Sequence, residues 1–273
     1  MTQQISHHPA AWIERLARFG YASKGAVYFI VGLLAVQTTF GRGGRTTNTE
    51  GALTTLVKQP FGQFLLALVA IGLMSYAMWR FVEAINNPEN KGNDFKGIAT
   101  RFTYVANGLA YTALAWTAVQ IIMGSSSSGG NGDSKQDWTA RLLNQPFGQW
   151  LVGTIGAGVI AFGCYYLYKA FTAKFRRMLD LSELSSAGRE WIIITCRFGL
   201  AARSIVFFLI GWFFIEAAYM AQASQVGGLD EALETLAEQP YGHWLLAIVA
   251  LGLMAYGVYM VVQARYRYLD PNI

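Results

Sequence analysis

Lys24, Asn107 and Arg203 are the residues of this chain best placed by type and spacing to do chemistry. Each lies six residues after an arginine-phenylalanine pair, namely Arg18-Phe19, Arg101-Phe102 and Arg197-Phe198. Each also lies inside a long apolar segment, where an ionisable group is costly and marks a functional position by default. At 1.5 Å per helical residue the three sit about 9 Å deeper than the arginines that open their segments. Tyr28, Tyr111 and Phe207 follow about one turn later. One reading is a basic, aromatic-lined vestibule at a single depth, able to hold an anionic solute or a lipid headgroup. The other is that Lys24 and Arg203 stretch to the nearby interface, as long basic side chains do readily.

The remaining charged positions have simpler readings. Arg80 and Glu83 have the i,i+3 spacing of a helical ion pair. Glu216 falls near the end of its segment and reads as interfacial. Lys169, Lys174, Arg176 and Arg177 cluster just past an apolar segment, which suits anionic lipid headgroups. Asp230, Glu231, Glu234 and Glu238 make one loop acidic, as a solvated helix face would be.

Enzyme chemistry finds little support. His7 and His8 adjoin near the start, and His243 falls on the opposite side, so no shared metal site is expected. Cys164 and Cys196 lack metal-ligand spacing and read as small packing residues. Ser125 to Ser128 with Gly129-Gly130 is a low-complexity loop rather than a nucleophile elbow. Gly41 to Arg45 lacks the strand-loop-helix context of a phosphate loop. No catalytic, cofactor or metal set is expected, and the chain reads as a non-enzyme.

The elements that must position these residues are membrane spans. Of 273 residues, 53% are hydrophobic and 14% charged, against roughly 25% charged in a soluble domain. Apolar stretches near 19–40, 62–85, 101–123, 148–172, 192–220 and 243–264 each have about the 20 residues a helix needs to cross a ~30 Å hydrocarbon core. None alternates as a barrel strand would. The first has no small-residue cleavage signal after it and a counterpart deep in the chain, so it reads as a retained span rather than a signal peptide.

Charge orients them. Sixteen of the 21 lysines and arginines flank one set of span ends; only Arg42, Arg45, Lys58, Lys135 and Arg141 flank the other. Basic residues accumulate on the cytoplasmic side, so both termini are expected there, in a bacterial inner membrane. The net charge of +5 is then an orientation and lipid signal, not a nucleic-acid footprint.

The chain also repeats. Gln59-Pro60-Phe61-Gly62 recurs as Gln145-Pro146-Phe147-Gly148 and Gln239-Pro240-Tyr241-Gly242. Downstream, Tyr76, Phe162 and Tyr256 share a place, as do Gly72, Gly158 and Gly252. The odd-numbered helices open on Arg18, Arg101 and Arg197, each with an aromatic six residues before (Trp12, Phe95, Trp191). Three units follow within one membrane domain spanning 1–273: 12–88, 95–172 and 190–268.

Gln-Pro reads as a corner, with the proline in the first turn of each even-numbered span. Before it, Leu53, Leu56 and Val57, then Leu142 and Leu143, then Leu233, Leu236 and Ala237 form apolar stripes. They predict three short amphipathic surface helices. A recognition site built from the three glutamines is the other reading. Three like-oriented helix pairs imply a pseudo-threefold axis along the membrane normal, with Gly32, Gly72, Gly158, Gly163 and Gly252 as candidate contact faces.

Three helix pairs with these arginine-aromatic starts and Gln-Pro-aromatic-Gly corners resemble the bacterial membrane family DUF1206, over roughly residues 12–268. The resemblance implies a six-helix membrane protein and brings no activity, cofactor or catalytic residue. The expected fold is therefore all-α and integral to the membrane. The expected role is a structural or interaction module contacting lipids or other membrane components, with no nucleic acid. The alternative is a small transporter or channel for an anionic solute along the axis.

Overall fold

A computed structural model of the protein describes residues 11–39, 48–86, 95–124, 131–182 and 184–267. His7, His8, Gly41 to Arg45 and Ser125 to Gly130 lie outside them, as do the side chains of Trp12, Phe95 and Arg177. Three helical triplets follow one another. The first is α1 (Ala11–Thr39), α2 (Thr49–Val57) and α3 (Gly62–Asn86). The second is α4 (Phe95–Ile122), α5 (Asn131–Leu143) and α6 (Gly148–Thr172). A 3-10 turn, Lys174–Met178, leads to α7 (Ser186–Met220), α8 (Leu229–Glu238) and α9 (Gly242–Tyr266). Among the described residues there is no strand, only an isolated bridge between Leu179 and Arg267.

Six of these helices are long and apolar enough to cross a membrane: Glu14–Thr39, Gly62–Ile85, Thr100–Ile122, Gly148–Thr172, Ser186–Met220 and Gly242–Tyr266. The three short helices α2, α5 and α8 precede the even-numbered spans, as the apolar stripes predict. Ala52 and Leu53 are buried on α2, and Leu229, Ala232 and Leu233 on α8. Asn48 caps α2 by accepting from the Glu50 and Gly51 amides, and donates to Asp230 at 2.9 Å, which ties α2 to α8.

The corners differ in one respect from expectation. The prolines do not sit inside the even-numbered spans; each helix begins two residues later, at Gly62, Gly148 or Gly242. The glycine amide closes a tight turn on the glutamine carbonyl, at 2.8, 2.9 and 2.7 Å. Proline presets the second turn position, and the third must then take positive φ. Phe61, Phe147 and Tyr241 hold that place, at φ 58°, 64° and 63°. Glycine would adopt it at less cost, so the aromatic is there for its ring. The glycine one residue later is needed for space. A Cβ there would run into the carbonyls that end the short helix, Leu56 and Val57, Leu142, or Ala237. The three glutamines are exposed at these corners.

The six spans pack in the order α4, α3, α1, α9, α7, α6. Contacts between repeats use small residues at matched places. Gly32 of α1 crosses Ala250 of α9, and Gly211 of α7 crosses Gly156 of α6. Ala70 and Ala115 occupy the same places on α3 and α4, and both are buried. Small side chains let helix backbones approach closely where lipid supplies no hydrophobic drive.

Contacts within a repeat form in the first and third units only. A Cβ on Gly20 would lie 2.6 Å from the Tyr76 backbone, and one on Gly199 would collide with the Tyr256 backbone. Gly72 packs on Ser23 and Gly252 on Ala202 in the same crossings. In the second unit α4 does not pack on α6. Thr103 stands where the other units have Gly20 and Gly199, a place that in those units leaves no room for a side chain. Gly158, expected as a contact face, has nothing within 4 Å of where its Cβ would stand. Gly32, Gly72, Gly163 and Gly252 do face neighbouring helices.

Candidate functional site

The arginines that mark the odd-numbered helices lie well inside them, because the helices start seven to eleven residues earlier at Ala11 and Ser186, and six earlier at Phe95. Two of them bind the C-terminal turn of a span from another repeat, Arg18 that of α9 and Arg197 that of α6. Arg18 donates to the Arg265 carbonyl at 2.9 Å. Arg197 donates to the Ala170 and Phe171 carbonyls at 2.9 and 3.1 Å. Both place a guanidinium on the unsatisfied carbonyls and negative dipole end of a helix C-terminus.

Deeper in, the second span of each repeat (α3, α6, α9) meets the first span of the next (α4, α7, α1) through an edge-to-face aromatic pair. Tyr76 meets Tyr111 at 4.7 Å between centroids, Phe162 meets Phe207 at 5.1 Å, and Tyr256 meets Tyr28 at 5.0 Å. The interplanar angles are 74°, 74° and 87°. This is the favoured geometry for ring quadrupoles. Three like pairs from three repeats trace the pseudo-threefold.

Two of the pairs clamp a cation. The Lys24 ammonium lies 4.5 and 4.6 Å from the Tyr76 and Tyr111 centroids and donates to the Tyr76 hydroxyl at 3.0 Å. The Arg203 guanidinium lies 4.3 and 5.0 Å from the Tyr28 and Tyr256 centroids, and 4.7 Å from Phe207. A desolvated cation over such rings is worth about 2 kcal/mol per good contact. Lys24 is 4% exposed, so it does not stretch to the interface. Asn107 departs from the expected ring of three. Its short amide reaches only the Thr103 carbonyl one turn back, at 2.9 Å. The remaining pair, Phe162 with Phe207, is the one with no hydroxyl to accept a hydrogen bond.

Among the described residues neither Lys24 nor Arg203 is ion-paired with a carboxylate. Arg203 Nε and the Tyr256 hydroxyl are buried without a hydrogen-bond partner, a cost tolerated here by the surrounding rings. The buried carboxylate Glu83 is engaged with other cations. It accepts from Arg80 at 2.5 Å, the expected i,i+3 pair, and from Arg267 at 2.8 Å. Arg80 also donates to the Tyr76 hydroxyl from Nε and Nη2 at 2.7 and 2.5 Å, and to Tyr21 at 3.2 Å. Tyr76 thus joins the Lys24 clamp to the ion-paired group.

Sequence reasoning missed Arg267 in this group, since 184 residues separate it from Glu83 and no local pattern links them. It missed the clamping role of Tyr76, Phe162 and Tyr256, although their shared place in the repeat was legible. Of the cluster expected at lipid headgroups, Lys169 is half-buried 5.8 Å from the Tyr259 ring, Lys174 donates to the Tyr168 hydroxyl, and Arg176 is exposed. Glu216 is half-buried, and His243 and Cys164 are exposed while Cys196 is buried.

Comparison with known proteins agrees with the three-unit architecture. Residues 19–87, 102–173 and 198–267 match the family described as Domain of Unknown Function (DUF1206). Each segment begins one residue after a marker arginine. The chain is also 38% identical over 269 residues to the uncharacterized protein YxxB of Bacillus subtilis (strain 168), covering 97% of this chain and 95% of the relative. No solved structure matches. This chain, with its three two-helix repeats and six membrane-spanning helices, belongs to the DUF1206 family.

Proposed function

We propose that this protein is a sealed six-helix module of the bacterial inner membrane that associates with lipids or other membrane components, rather than an enzyme or a conducting path. One observation carries the reading: three edge-to-face aromatic pairs meet about the pseudo-threefold, with Lys24 and Arg203 held between rings. A path for hydrated ions needs polar groups facing a wet lumen. The exposed rings at the corners support the membrane setting. Phe61, Phe147 and Tyr241 are 85%, 82% and 83% exposed, and Phe64, Trp150 and Trp244 stand outward three residues later. Such rings favour the membrane-water boundary. The excess of basic residues at the opposite span ends supports termini on the cytoplasmic side.

The test is flux. Purified protein in sealed liposomes should pass chloride or iodide no faster than empty liposomes, whereas Phe162→Ala with Phe207→Ala should leak. Anion flux by the unaltered protein above that background would falsify the sealed reading. The transport alternative keeps one specific observation in its favour, two buried cations with no carboxylate partner among the described residues.

A further inference from the structure

At the end of the molecule where Arg197 caps α6, a cavity of about 370 Å³ is lined by Arg176, Ser186, Arg189, Glu190, Ile193, Ile194 and Arg197. Arg189, Ile193 and Arg197 recur every four residues and form one ridge of α7. Arg176 comes from the 3-10 turn that follows α6. Three arginines and one glutamate thus line one cavity, and among the described residues none of the four is in an ion pair. Arg197 uses Nε and Nη2 on α6 carbonyls. Arg189 makes one long bond, from Nη2 to the Leu184 carbonyl at 3.4 Å, and its Nε is buried with no partner. A buried donor left idle costs free energy, so a site holding one beside two further guanidinium groups is built for an acceptor that arrives from outside.

Depth and surroundings say what that acceptor is attached to. α7 has 35 residues and so is about 52 Å long, well beyond a ~30 Å hydrocarbon core. Its first turns therefore stand at headgroup level, where α6 ends. Beside the cavity Trp191, Ile194 and Phe198 are exposed, an apolar wall of the kind acyl chains cover. Guanidinium forks match phosphate oxygens in geometry as well as charge.

We propose, building on the lipid-contact half of the function above, that this cavity binds the phosphate of an anionic phospholipid. Its headgroup lies among Arg176, Arg189 and Arg197, and its chains run along the exposed face of α7. The site differs from the surface cluster expected from sequence, since Arg189 and Arg197 complete it and Lys169 and Lys174 take no part.

The experiment is native mass spectrometry of the full chain released from detergent micelles containing either phosphatidylglycerol or phosphatidylcholine. The unaltered protein should retain one phosphatidylglycerol preferentially. Arg176→Gln with Arg189→Gln should lower that retention roughly tenfold, as loss of two charge-assisted contacts implies. Lys58→Gln, at the opposite membrane face, should leave it unchanged. Ile193→Trp fills the cavity without altering charge and should also evict the lipid, which guards against a folding defect in the double variant. Retention by the arginine and tryptophan variants at the level of the unaltered protein overturns the proposal, as does displacement of the lipid by millimolar inorganic phosphate, which would mark a free-phosphate site. Equal retention of both lipids by the unaltered protein overturns the site but leaves the sealed module standing, since flux tests that separately.

Discussion

In repeats one and three the odd-numbered helix crosses its own even-numbered partner at a glycine, Gly20 against Tyr76 and Gly199 against Tyr256; repeat two has Thr103 there, and its helices do not pack. The consequence is visible in burial. Of the apolar windows of α4 and α6, 28% and 17% are buried, against 56% for α1 and 61% for α9. Both helices of repeat two are held by neighbours from the other repeats, α4 by α3 and α6 by α7. The same repeat lacks the clamped cation, since it carries Asn107 where the others carry Lys24 and Arg203. One sequence template thus yields two structural outcomes. The difference teaches that the interfaces between repeats assemble this molecule, while those within a repeat are optional.

The comparison can be broken most forcefully at Glu83. Repeat one carries this carboxylate where repeat two has Lys169 and repeat three Gln263. Glu83→Gln would leave Arg80 and Arg267 as buried cations without their acceptor, and should cost about 3–5 kcal/mol. Thermal unfolding in detergent would register the loss as a large drop in Tm. An unchanged Tm would mean that water already solvates the pair.

Next in size is Gly199→Thr, which gives repeat three the residue of repeat two. A side chain there meets the Tyr256 backbone, and overpacking of this kind should cost about 3 kcal/mol. Unfolding by a graded denaturing detergent would measure it. If the variant is as stable as the parent, the glycine does not explain why repeat three closes.

A smaller effect is expected from Tyr76→Phe, which makes the Lys24 clamp resemble the one at Asn107. The hydroxyl accepts from Lys24 and Arg80, and its loss should cost about 1.5 kcal/mol. Phe162→Tyr, the reverse exchange in repeat two, should stay within about 0.5 kcal/mol, because the cation near this pair, Arg203, lies over Phe207. Equal effects at the two sites would show that the clamps are not distinguished by their charge.

The smallest energetic change sharpens the comparison most. Thr103→Gly should allow α4 to approach α6 with little loss of stability, under about 1 kcal/mol. Cysteines at Ala106 and Gly158, which correspond to the packed pairs Ser23 with Gly72 and Ala202 with Gly252, would report it by disulfide formation. Crosslinking only in the Thr103→Gly background is the expected result. Crosslinking with Thr103 in place would show that the helices already meet.

What the sequence determined by itself was whatever depends on local pattern: six spans from runs of apolar residues, three units from recurring motifs, and the short helices from stripes ahead of Gln-Pro. Each follows from hydrogen bonding and burial along a single segment, so the chain needs no partner to reveal it. The corner was legible as a turn, but the left-handed backbone of Phe61, Phe147 and Tyr241 was not, since it arises from the turn closing over the helix before it. Lys24 and Arg203 stood out as charges in apolar segments. That Tyr76, Tyr111, Tyr28 and Tyr256 sandwich them was decided only when even-numbered helices met the odd-numbered helices of the next repeat. Tertiary structure alone decided that Arg267 reaches Glu83, and that α4 and α6 of repeat two stay apart. In both cases the deciding quantity is the distance between two backbones, which no single segment encodes.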